Sequence, residues 1–231
     1  MSWLITGAQK TLNGTLDIGQ EVGGGYFVGY ISHTADGNPT HALIVAPRAT
    51  GATGSSYTLT TNPKWADQTV DAPAHATLIG ISSNFDGKAN TDLMMSLIAD
   101  STYSAGAFPA AQFCADLSIG GHTDWYLPAR YELDIAYFNL KPSTTANNTS
   151  WGSNIYSVPR RDLNNTATYP AQTALTAFNT SAEAFVADLH WSSAEANATL
   201  GWVLTFFNGG QGGSFSKTTT NRVRAFRKLA L

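Results

Sequence analysis

Cysteine is almost missing from this sequence of 231 residues, in which Cys114 is the single example. One cysteine excludes an internal disulfide framework, and it also excludes a zinc site built from cysteine thiolates. Cys114 recurs with Ala110, Phe113 and Leu117 on one face of a predicted helix. We therefore expect its side chain to be a small hydrophobic residue of the core rather than a reactive thiol.

Charged side chains are also scarce, because Asp, Glu, Lys and Arg together make up 13% of the chain. This is about half of the ~25% that is usual for soluble domains. The formal net charge of -3 argues against nucleic-acid binding, which requires a basic surface. Thr, Asn, Ser and Gly replace the missing charge. Such a surface suits hydrogen bonding to sugars or proteins, and it is equally typical of a robust extracellular β-protein.

Long hydrophobic segments are missing as well. No apolar run approaches the ~18 residues that a membrane-spanning helix requires. The opening MSWLITGAQK has neither the basic start nor the apolar stretch of a secretory signal. Membrane insertion and Sec export are therefore not expected.

Motifs for catalysis and nucleotide binding are missing too. The sequence has no G-x-S-x-G or H-E-x-x-H pattern, and its histidines are scattered. The glycine-rich NGGQGGSFSK is followed by the strand-like TTTNRVRAF, whereas a phosphate loop requires a helix there. We expect no enzyme, although five carboxylates leave a glycosidase dyad open as an alternative to surface or capping roles. They are Asp124, Glu132, Asp134, Glu183 and Glu195.

Oxygen ligands are dense in NFDGKANTD, residues 84–92, but their spacing is not that of an EF-hand. A turn formed by Asp86 and Gly87 is the preferred interpretation, and a calcium site is the alternative. No other metal and no cofactor is expected from the sequence.

Predicted strands and helices make up most of the first 140 residues. YFVGYIS, HALIVAPRA and SSYTLTT are rich in β-branched and aromatic residues, and DGNP between the first two indicates a hairpin turn. NTDLMMSLIADS predicts a helix capped by Asn90 or Thr91. FPAAQFCADLSIGG predicts a second helix, stopped by Gly120 and Gly121. A third helix is expected to start near Pro128.

Three strand-like segments, LHWSS, GWVLTFF and NRVRAFR, follow toward the end of the sequence. GWVLTFF is apolar on both faces, which predicts a central or covered strand. Trp125, Trp191 and Trp202 adjoin aliphatic residues, so core positions are favoured over roles as sugar-stacking platforms. The glycines of residues 209–213 predict a flexible turn between the last two strands.

Three blocks of this sequence resemble, in the same order, a domain family whose function was formerly unknown. GHTDWYLPARYEL is similar to the signature G-x-x-D-W-R-L-P-T-x-x-E-L, HWSSAEANATLGWVLTFFNGG to Y-W-S-S-T-E … A-W-x-V-x-F-x-x-G, and RVRAFR to V-R-x-V-R. The family includes phage proteins and the C-terminal domain of a collagen-like bacterial adhesin. Tyr126 stands where the family often has Arg, and Ala194 where it often has Thr. The matching motif positions are Asp124, Trp125, Leu127, Pro128, Glu132, Leu133, Trp191, Ser192, Ser193, Trp202, Arg222 and Arg224.

The resemblance implies an α+β fold. It implies a C-type-lectin-like domain of two to three helices with small antiparallel sheets, preceded by a β-rich N-terminal portion. We expect an N-terminal arm or attachment strand at residues 1–20, a β-rich portion at 21–105 and the lectin-like domain at 106–231. The β-rich portion is either separate from the lectin-like domain or continuous with it. Formylglycine-generating enzymes share this kind of fold but use a pair of cysteines, so their chemistry does not carry over to a chain with Cys114 alone.

The resemblance further implies a non-catalytic adhesin of a phage tail tip or tail fibre. Its partners would be a bacterial cell-surface receptor, glycan or protein, and other phage tail proteins. A homotrimer is expected, because relatives are trimers and gain avidity, and the location would be the virion after synthesis in the host cytoplasm. A structural protein of virion decoration or tail assembly is the alternative, and a glycan-processing enzyme is less favoured. The residues expected to face a ligand are Asn197, Asn208, Gln211, Ser214, Phe215 and Lys217.

Overall fold

The computed structural model describes residues 16–54, 61–76, 79–179 and 182–231 of the chain. Within these residues, helices are combined with antiparallel sheets, which confirms the α+β class. The strands are β1 (Glu21–Val22), β2 (Gly25–Ile31), β3 (His41–Val45), β4 (Ser157–Val158), β5 (Leu189–Glu195), β6 (Leu200–Thr205), β7 (Gln211–Ser216) and β8 (Phe226–Ala230). The helices are α1 (Arg48–Gly51), α2 (Ala72–Ala76), α3 (Gly87–Ala99), α4 (Pro109–Ala115), α5 (Arg130–Leu140) and α6 (Thr176–Asn179). Most of the expected arm and nearly all of the expected strand SSYTLTT lie outside the described residues.

Two antiparallel sheets organise the described residues. β1, β2, β3 and β8 form the first sheet in that order, with β4 paired to β2, and β5, β6 and β7 form the second. The register between β3 and β8 runs from His41 opposite Ala230 to Val45 opposite Phe226. A strand of the N-terminal half therefore shares a sheet with the last strand of the chain. The boundary expected between residues 105 and 106 does not coincide with a break in this sheet.

β2 and β3 are covered on both faces, and this explains why their sequences are apolar at almost every position. Phe27 and Ile44 point into one hydrophobic cluster, which also contains Trp125. Val28 and Leu43 point into a second cluster, which is closed by α5. The expected strand YFVGYIS is confirmed as β2, and so is the hairpin that follows it. HALIVAPRA is a strand only over its first five residues, because β3 ends at Val45 and its last two residues already belong to α1.

Gly29 lets α5 approach the first sheet closely. The pairing of β2 with β3 shifts register at this point, and Gly29 has a φ of 144°. A Cβ on Gly29 would lie 2.6 Å from Ile135 Cγ2 and 2.8 Å from Asn139 Nδ2. The bulge leaves the carbonyl of Val28 free to accept a hydrogen bond from Asn139 Nδ2 at 2.8 Å. The sheet and the helix are thus joined by a polar contact inside an apolar interface.

α3 begins one turn earlier than the sequence predicts. Asp86 is its N-cap and accepts a hydrogen bond from the backbone N–H of Ala89, so the expected cap at Asn90 or Thr91 was wrong. Both residues are buried inside the helix instead. Asn90 Nδ2 donates to Ser193 Oγ, so these short polar side chains serve tertiary contacts rather than a cap.

α4 and α5 occupy the expected segments with different ends. α4 stops one turn before Gly120 and Gly121, because the backbone N–H of Asp116 already caps its last carbonyls. The two glycines, with φ of 61° and 79°, form a separate turn. α5 begins two residues after Pro128, close to its expected start. None of the helices in the described ranges combines the length and the apolar character that crossing a membrane would need.

The expected strand NRVRAFR is wrong in its first half, since β8 begins only at Phe226. Residues 221–225 instead form isolated bridges, which join Arg222 to His190 and Arg224 to Ala52. One bridge leads to the second sheet and the other to the segment after α1. This stretch therefore crosses between the two parts of the fold rather than extending one sheet. The expected central position of GWVLTFF is confirmed, because β6 lies between β5 and β7.

Candidate ligand-binding site

Two of the three tryptophans that the sequence singles out are core residues. Trp125 and Trp191 are buried, and their indole nitrogens donate to backbone carbonyls, Trp125 Nε1 to His122 at 3.1 Å and Trp191 Nε1 to Pro63 at 3.1 Å. Ser192 is buried beside them and its carbonyl accepts from the indole of Trp65 at 3.0 Å. These motif residues hold the scaffold and are not available to a ligand.

The two longest motif blocks touch each other through their backbones. The N–H of Ser193 donates to the carbonyl of Pro128 at 2.8 Å. The N–H of Leu127 donates to Thr91 Oγ1 at 3.1 Å, which ties the first block to α3 as well. The D-W-x-L-P segment is therefore clamped between β5 and α3.

Glu132 lies fully buried at the start of α5 and is surrounded by donors. Its carboxylate accepts from Tyr126 Oη at 2.8 Å, from the N–H of Ala129 at 2.7 Å and from the N–H of Gly87 at 3.2 Å. Burial raises the pKa of Glu132 to about 7, and these hydrogen bonds oppose the rise. Tyr126, where the family often has Arg, is thus a neutral partner for this carboxylate. Leu133 is buried next to it in the second hydrophobic cluster.

The remaining four carboxylates each pair with a cation. Asp124 binds Arg227 through two bonds of 2.8 and 2.9 Å. The other three pairs are Glu183 with Arg224, Glu195 with Lys217, and Asp134 with Arg161. Each of the candidate acidic residues therefore makes a structural contact of its own. Of the motif arginines, Arg224 belongs to these pairs, and Arg222 pairs with a further carboxylate, Asp188, at 3.1 Å.

The residues expected to face a ligand divide into two groups. Asn197 and Ser214 are exposed, and Asn208 and Phe215 are partly exposed. Asn197 also stabilises the turn between β5 and β6, because its Oδ1 accepts from the N–H of Leu200 at 3.0 Å. These four positions are consistent with a contact surface around β6 and β7.

The expectation that Gln211 and Lys217 are displayed to a ligand was wrong. Gln211 is 9% exposed, and Nε2 donates to Asp134 Oδ1 at 3.2 Å. Lys217 is fully buried, and its ammonium donates to Glu195 Oε2 at 2.8 Å. Burial lowers the pKa of Lys217, and the Glu195 carboxylate opposes this shift. Both side chains are used inside the fold, and neither presents its polar group to solvent.

The glycine-rich segment is a strand and not the flexible turn that its composition suggests. Only Gly209 and Gly210 belong to the connection, and Gln211 already opens β7. The glycines of β7 make room for aromatic rings: a Cβ on Gly213 would lie 2.9 Å from Trp202 Cε2. Gly212 makes room for Phe215 in the same way, because a Cβ on Gly212 would lie 3.0 Å from Phe215 Cε2. Aromatic side chains that cover glycines in this way stabilise a strand otherwise poor in packing.

Trp202 is the third tryptophan, and its expected core position is not what the structure has. It is partly exposed and belongs to a group that we call the arginine–tryptophan cluster, formed by Arg130, Tyr131, Trp151 and Trp202. The Arg130 guanidinium carbon lies 4.1 Å from the ring centre of Trp202, 4.9 Å from Trp151 and 5.2 Å from Tyr131. The two indoles meet edge to face with centres 6.3 Å apart. Arg130 Nε also donates to Gln211 Oε1, which fixes the guanidinium in place.

The cluster offers a ligand two kinds of contact. Partly exposed aromatic faces provide flat apolar area at little entropic cost, and the guanidinium provides several donors. Arg130 and Trp151 were missed by the sequence analysis. Trp151 carried a signal that could have found it, because it stands alone in the polar tract KPSTTANNTSWGSN with no apolar neighbours to form a core. Arg130 carried none, since its partners Trp151, Trp202 and Gln211 come from distant segments.

No group of three or more His, Cys, Asp or Glu side chains suited to a metal ion is present in the part of the chain that the structure describes. Residues 84–92 were the segment for which a calcium site was the alternative interpretation. In this segment Asp86 caps α3 and also accepts a hydrogen bond from Lys228 Nζ at 2.7 Å. Its oxygens therefore serve a helix end and an ion pair.

No protein-family model matches this chain, and no curated protein matches it. Among solved structures, the chain is similar to a fimbrial protein from Bacteroides ovatus, with 16% sequence identity and a TM-score of 0.40. The match covers 80% of this chain and 35% of that chain, so this chain spans about a third of the neighbour's length. A TM-score this low does not establish a shared fold.

Proposed function

We propose that this chain is a non-catalytic adhesin that binds a receptor on a bacterial surface, with a glycan as the favoured receptor class. We propose further that it has a C-type-lectin-like fold and acts at a phage tail tip or tail fibre, as the motif resemblance implies. The arginine–tryptophan cluster supports the binding role most directly. It lies next to the expected contact surface, because Trp202 packs on Gly213, the neighbour of exposed Ser214.

A glycan fits this surface better than a charged ligand does. Sugars combine apolar ring faces with many hydroxyl groups, and the cluster combines aromatic faces with the donors of Arg130. Asn197, Asn208 and Ser214 add short neutral polar groups nearby, which form hydrogen bonds without the cost of desolvating a full charge.

We also propose that the chain has no catalytic activity. The structural contacts of its candidate acidic side chains support this part of the proposal. Glu132 is surrounded by hydrogen-bond donors, and the other four candidate carboxylates are paired with cations. A homotrimer is proposed as well, because each sugar contact is weak and three linked sites give avidity. Light scattering on the purified chain tests the trimer directly.

The test of the function measures adsorption of the purified chain to a panel of bacterial strains and to their isolated surface polysaccharides. Trp151→Ala is expected to weaken binding by about fivefold or more, because truncating an aromatic anchor at an interface costs more than ~1 kcal/mol. Leu93→Ser is the control, since Leu93 is an exposed apolar residue of α3 outside the cluster. Its adsorption should equal that of the unaltered chain.

Treatment of the cells separates the receptor classes. Periodate, which oxidises sugars, should abolish adsorption, and protease treatment should leave it intact. The reverse result would replace the glycan with a protein receptor. Failure to adsorb to any strain, with the chain located between other subunits of a virion, would support the structural alternative and refute the adhesin.

A further inference from the structure

A second candidate site lies apart from the arginine–tryptophan cluster, between α5 and the loop formed by residues 157–169. It is a half-open cavity of about 440 Å³, within the range of roughly 300–1,000 Å³ that is usual for ligand pockets. Its lining is mostly apolar. The apolar walls are formed by Ile135, Phe138, Val158, Pro159, Leu163 and Tyr169.

The walls of this cavity are held by hydrogen bonds within the protein. The backbones of Asn154 and Arg161 bond to each other in both directions, at 2.7 and 3.1 Å. Ser157 Oγ donates to the carbonyl of Asn154 at 2.9 Å, and the N–H of Asn165 donates to the carbonyl of Trp151 at 2.8 Å. The loop is therefore preorganised in the absence of a ligand, and this reduces the conformational entropy that is lost on binding.

Two donors at the cavity have no acceptor among the described residues. They are Arg161 Nη1 and Asn165 Nδ2, and both atoms are buried. Asn165 is 7% exposed and lines the cavity, as does Arg161. A buried donor without a partner destabilises the folded protein, so native proteins rarely keep one without a reason. Terminal amide torsions are broad, which allows Asn165 to turn Nδ2 toward a ligand oxygen without leaving its place.

The charges around the cavity favour a neutral ligand. The Arg161 guanidinium donates from Nη2 to Asp134 Oδ2 and from Nε to Ser157 Oγ. Its central carbon lies 4.2 Å from the ring centre of Phe138. Asp162 on the rim pairs with Arg160. Two cations are thus matched by two carboxylates, and no excess positive charge remains to attract an anion. A carbonyl or hydroxyl oxygen accepts from the Asn165 amide without adding a charge.

We propose that this cavity binds a neutral acetamido-bearing sugar residue, of the N-acetylhexosamine type, as a subsite of the surface glycan. The acetamido carbonyl accepts from Asn165 Nδ2 once the amide has turned toward the cavity, and its methyl group enters the apolar part of the cavity. Tyr169, which is 60% exposed and whose ring stands edge-on to that of Phe138, covers one face of the sugar ring. The choice of a sugar rests on the proposed glycan-binding function, while the cavity and its free donors are independent of it.

The experiment is a saturation-transfer and titration NMR study of the full chain with N-acetylglucosamine and with glucose. N-acetylglucosamine is expected to bind with a millimolar dissociation constant and to show strong transfer to its methyl protons. Glucose, which lacks the acetamido group, should bind about tenfold more weakly, as expected for the loss of about 1.4 kcal/mol. N-acetylneuraminic acid, which adds a carboxylate, should not bind better than N-acetylglucosamine.

Variants locate the binding. Asn165→Leu has a similar volume and removes the free donor, and Tyr169→Ala removes the exposed ring; each is expected to weaken N-acetylglucosamine binding by about tenfold. Thr168→Ala is the matched control, because Thr168 is exposed in the same loop but does not line the cavity. It should bind like the unaltered chain. Circular dichroism checks that each variant is folded.

The following outcomes overturn the proposal. They are equal binding of the two sugars, preference for the acidic sugar, undiminished binding by Asn165→Leu and Tyr169→Ala together, or no detectable binding. Adsorption of the chain to cells is scored separately. If adsorption depends on Trp151 while the cavity binds no sugar, the subsite fails and the adhesin stands. If the cavity binds the sugar but no strain adsorbs the chain, the adhesin fails and the subsite stands.

Discussion

Gln211 and Asp134 connect the two candidate sites through one hydrogen bond. Gln211 Nε2, on β7, donates to Asp134 Oδ1, on α5, at 3.2 Å, and both side chains are buried. Gln211 Oε1 accepts from Arg130 of the arginine–tryptophan cluster, and Asp134 Oδ2 accepts from Arg161 at the cavity. The Gln211 amide accepts from a guanidinium and donates to a carboxylate at the same time, which neither the carboxylate of Glu nor the thioether of Met can do.

Gln211→Met is expected to lower the free energy of unfolding by about 1–3 kcal/mol, because it leaves Arg130 and Asp134 each short of a buried partner. It should also change the tryptophan fluorescence, since Arg130 is no longer fixed against Trp202. Urea unfolding followed by circular dichroism measures the first effect. Ser214→Ala, at an exposed position of the same strand, is the control and should stay within about 0.5 kcal/mol. Equal stability of the two variants would contradict the role of the amide.

The strands of the two sheets could largely be predicted from the sequence, and β7 could not. β2, β3 and β6 carry β-branched and aromatic residues in runs that are typical of covered strands. The sequence of β7 is QGGSFS, and its two glycines predict a turn rather than a strand. It is a strand because the rings of Trp202 and Phe215 fill the space that side chains would occupy. That filling comes from tertiary packing, which a local pattern does not contain.

The candidate site was predicted only in part, for a similar reason. The sequence places Asn208 and Ser214 at a surface between the last strands, and it does not tell which polar residues there have a buried partner. Lys217 pairs with Glu195, 22 positions earlier in the chain. Gln211 pairs with Asp134 at a separation of 77 and with Arg130 at a separation of 81. A buried charge cannot be told from an exposed one without its partner, and these partners are set by the fold.

Lys217→Met is expected to lower the free energy of unfolding by about 3–5 kcal/mol, because it leaves a buried carboxylate without its cation. The Lys217 ammonium lies 2.8 Å from Glu195 Oε2, and its side chain is 0% exposed. Methionine keeps an apolar stem of similar length beside Trp65. Guanidinium chloride unfolding measures the change. Lys88→Met is the matched control, since Lys88 pairs with Asp92 at 2.7 Å on the helix surface, where such a pair is worth only about 0.3–0.5 kcal/mol.

A second substitution separates the ion pair from simple packing. In Lys217→Met with Glu195→Gln, the amide oxygen of residue 195 still accepts from the N–H groups of Gly80 and Ile81, which bond to Glu195 at 2.5 and 3.1 Å. The double variant should therefore recover part of the loss. Strictly additive losses in the two single variants would show that the buried charges do not interact.

His190 is expected to make the protein less stable in mild acid. It is buried against Phe185 and Phe206, and burial lowers its pKa to about 3 from the ordinary 6.5. The hydrogen bond to the Asp188 carbonyl opposes this shift, while the charge of Arg222 adds to it. Between these two pKa values the unfolded chain binds a proton that the folded chain does not bind. The free energy of unfolding therefore falls as the pH falls, by up to about 1.4 kcal/mol per pH unit.

His190→Gln removes the titrating imidazole. Between about pH 6.5 and 4.5, the slope of the unfolding free energy against pH should therefore be smaller in the variant by up to about 1.4 kcal/mol per pH unit. His33, whose pKa burial also lowers, to about 4, is present in both proteins and cancels in the comparison. Urea unfolding at several pH values gives the two slopes. The variant is expected to be less stable near neutral pH, because it loses the contacts of the imidazole ring. The comparison that tests the role of His190 is therefore between the two slopes and not between the absolute stabilities. Parallel slopes would mean that His190 is protonated in the folded protein as readily as in the unfolded chain.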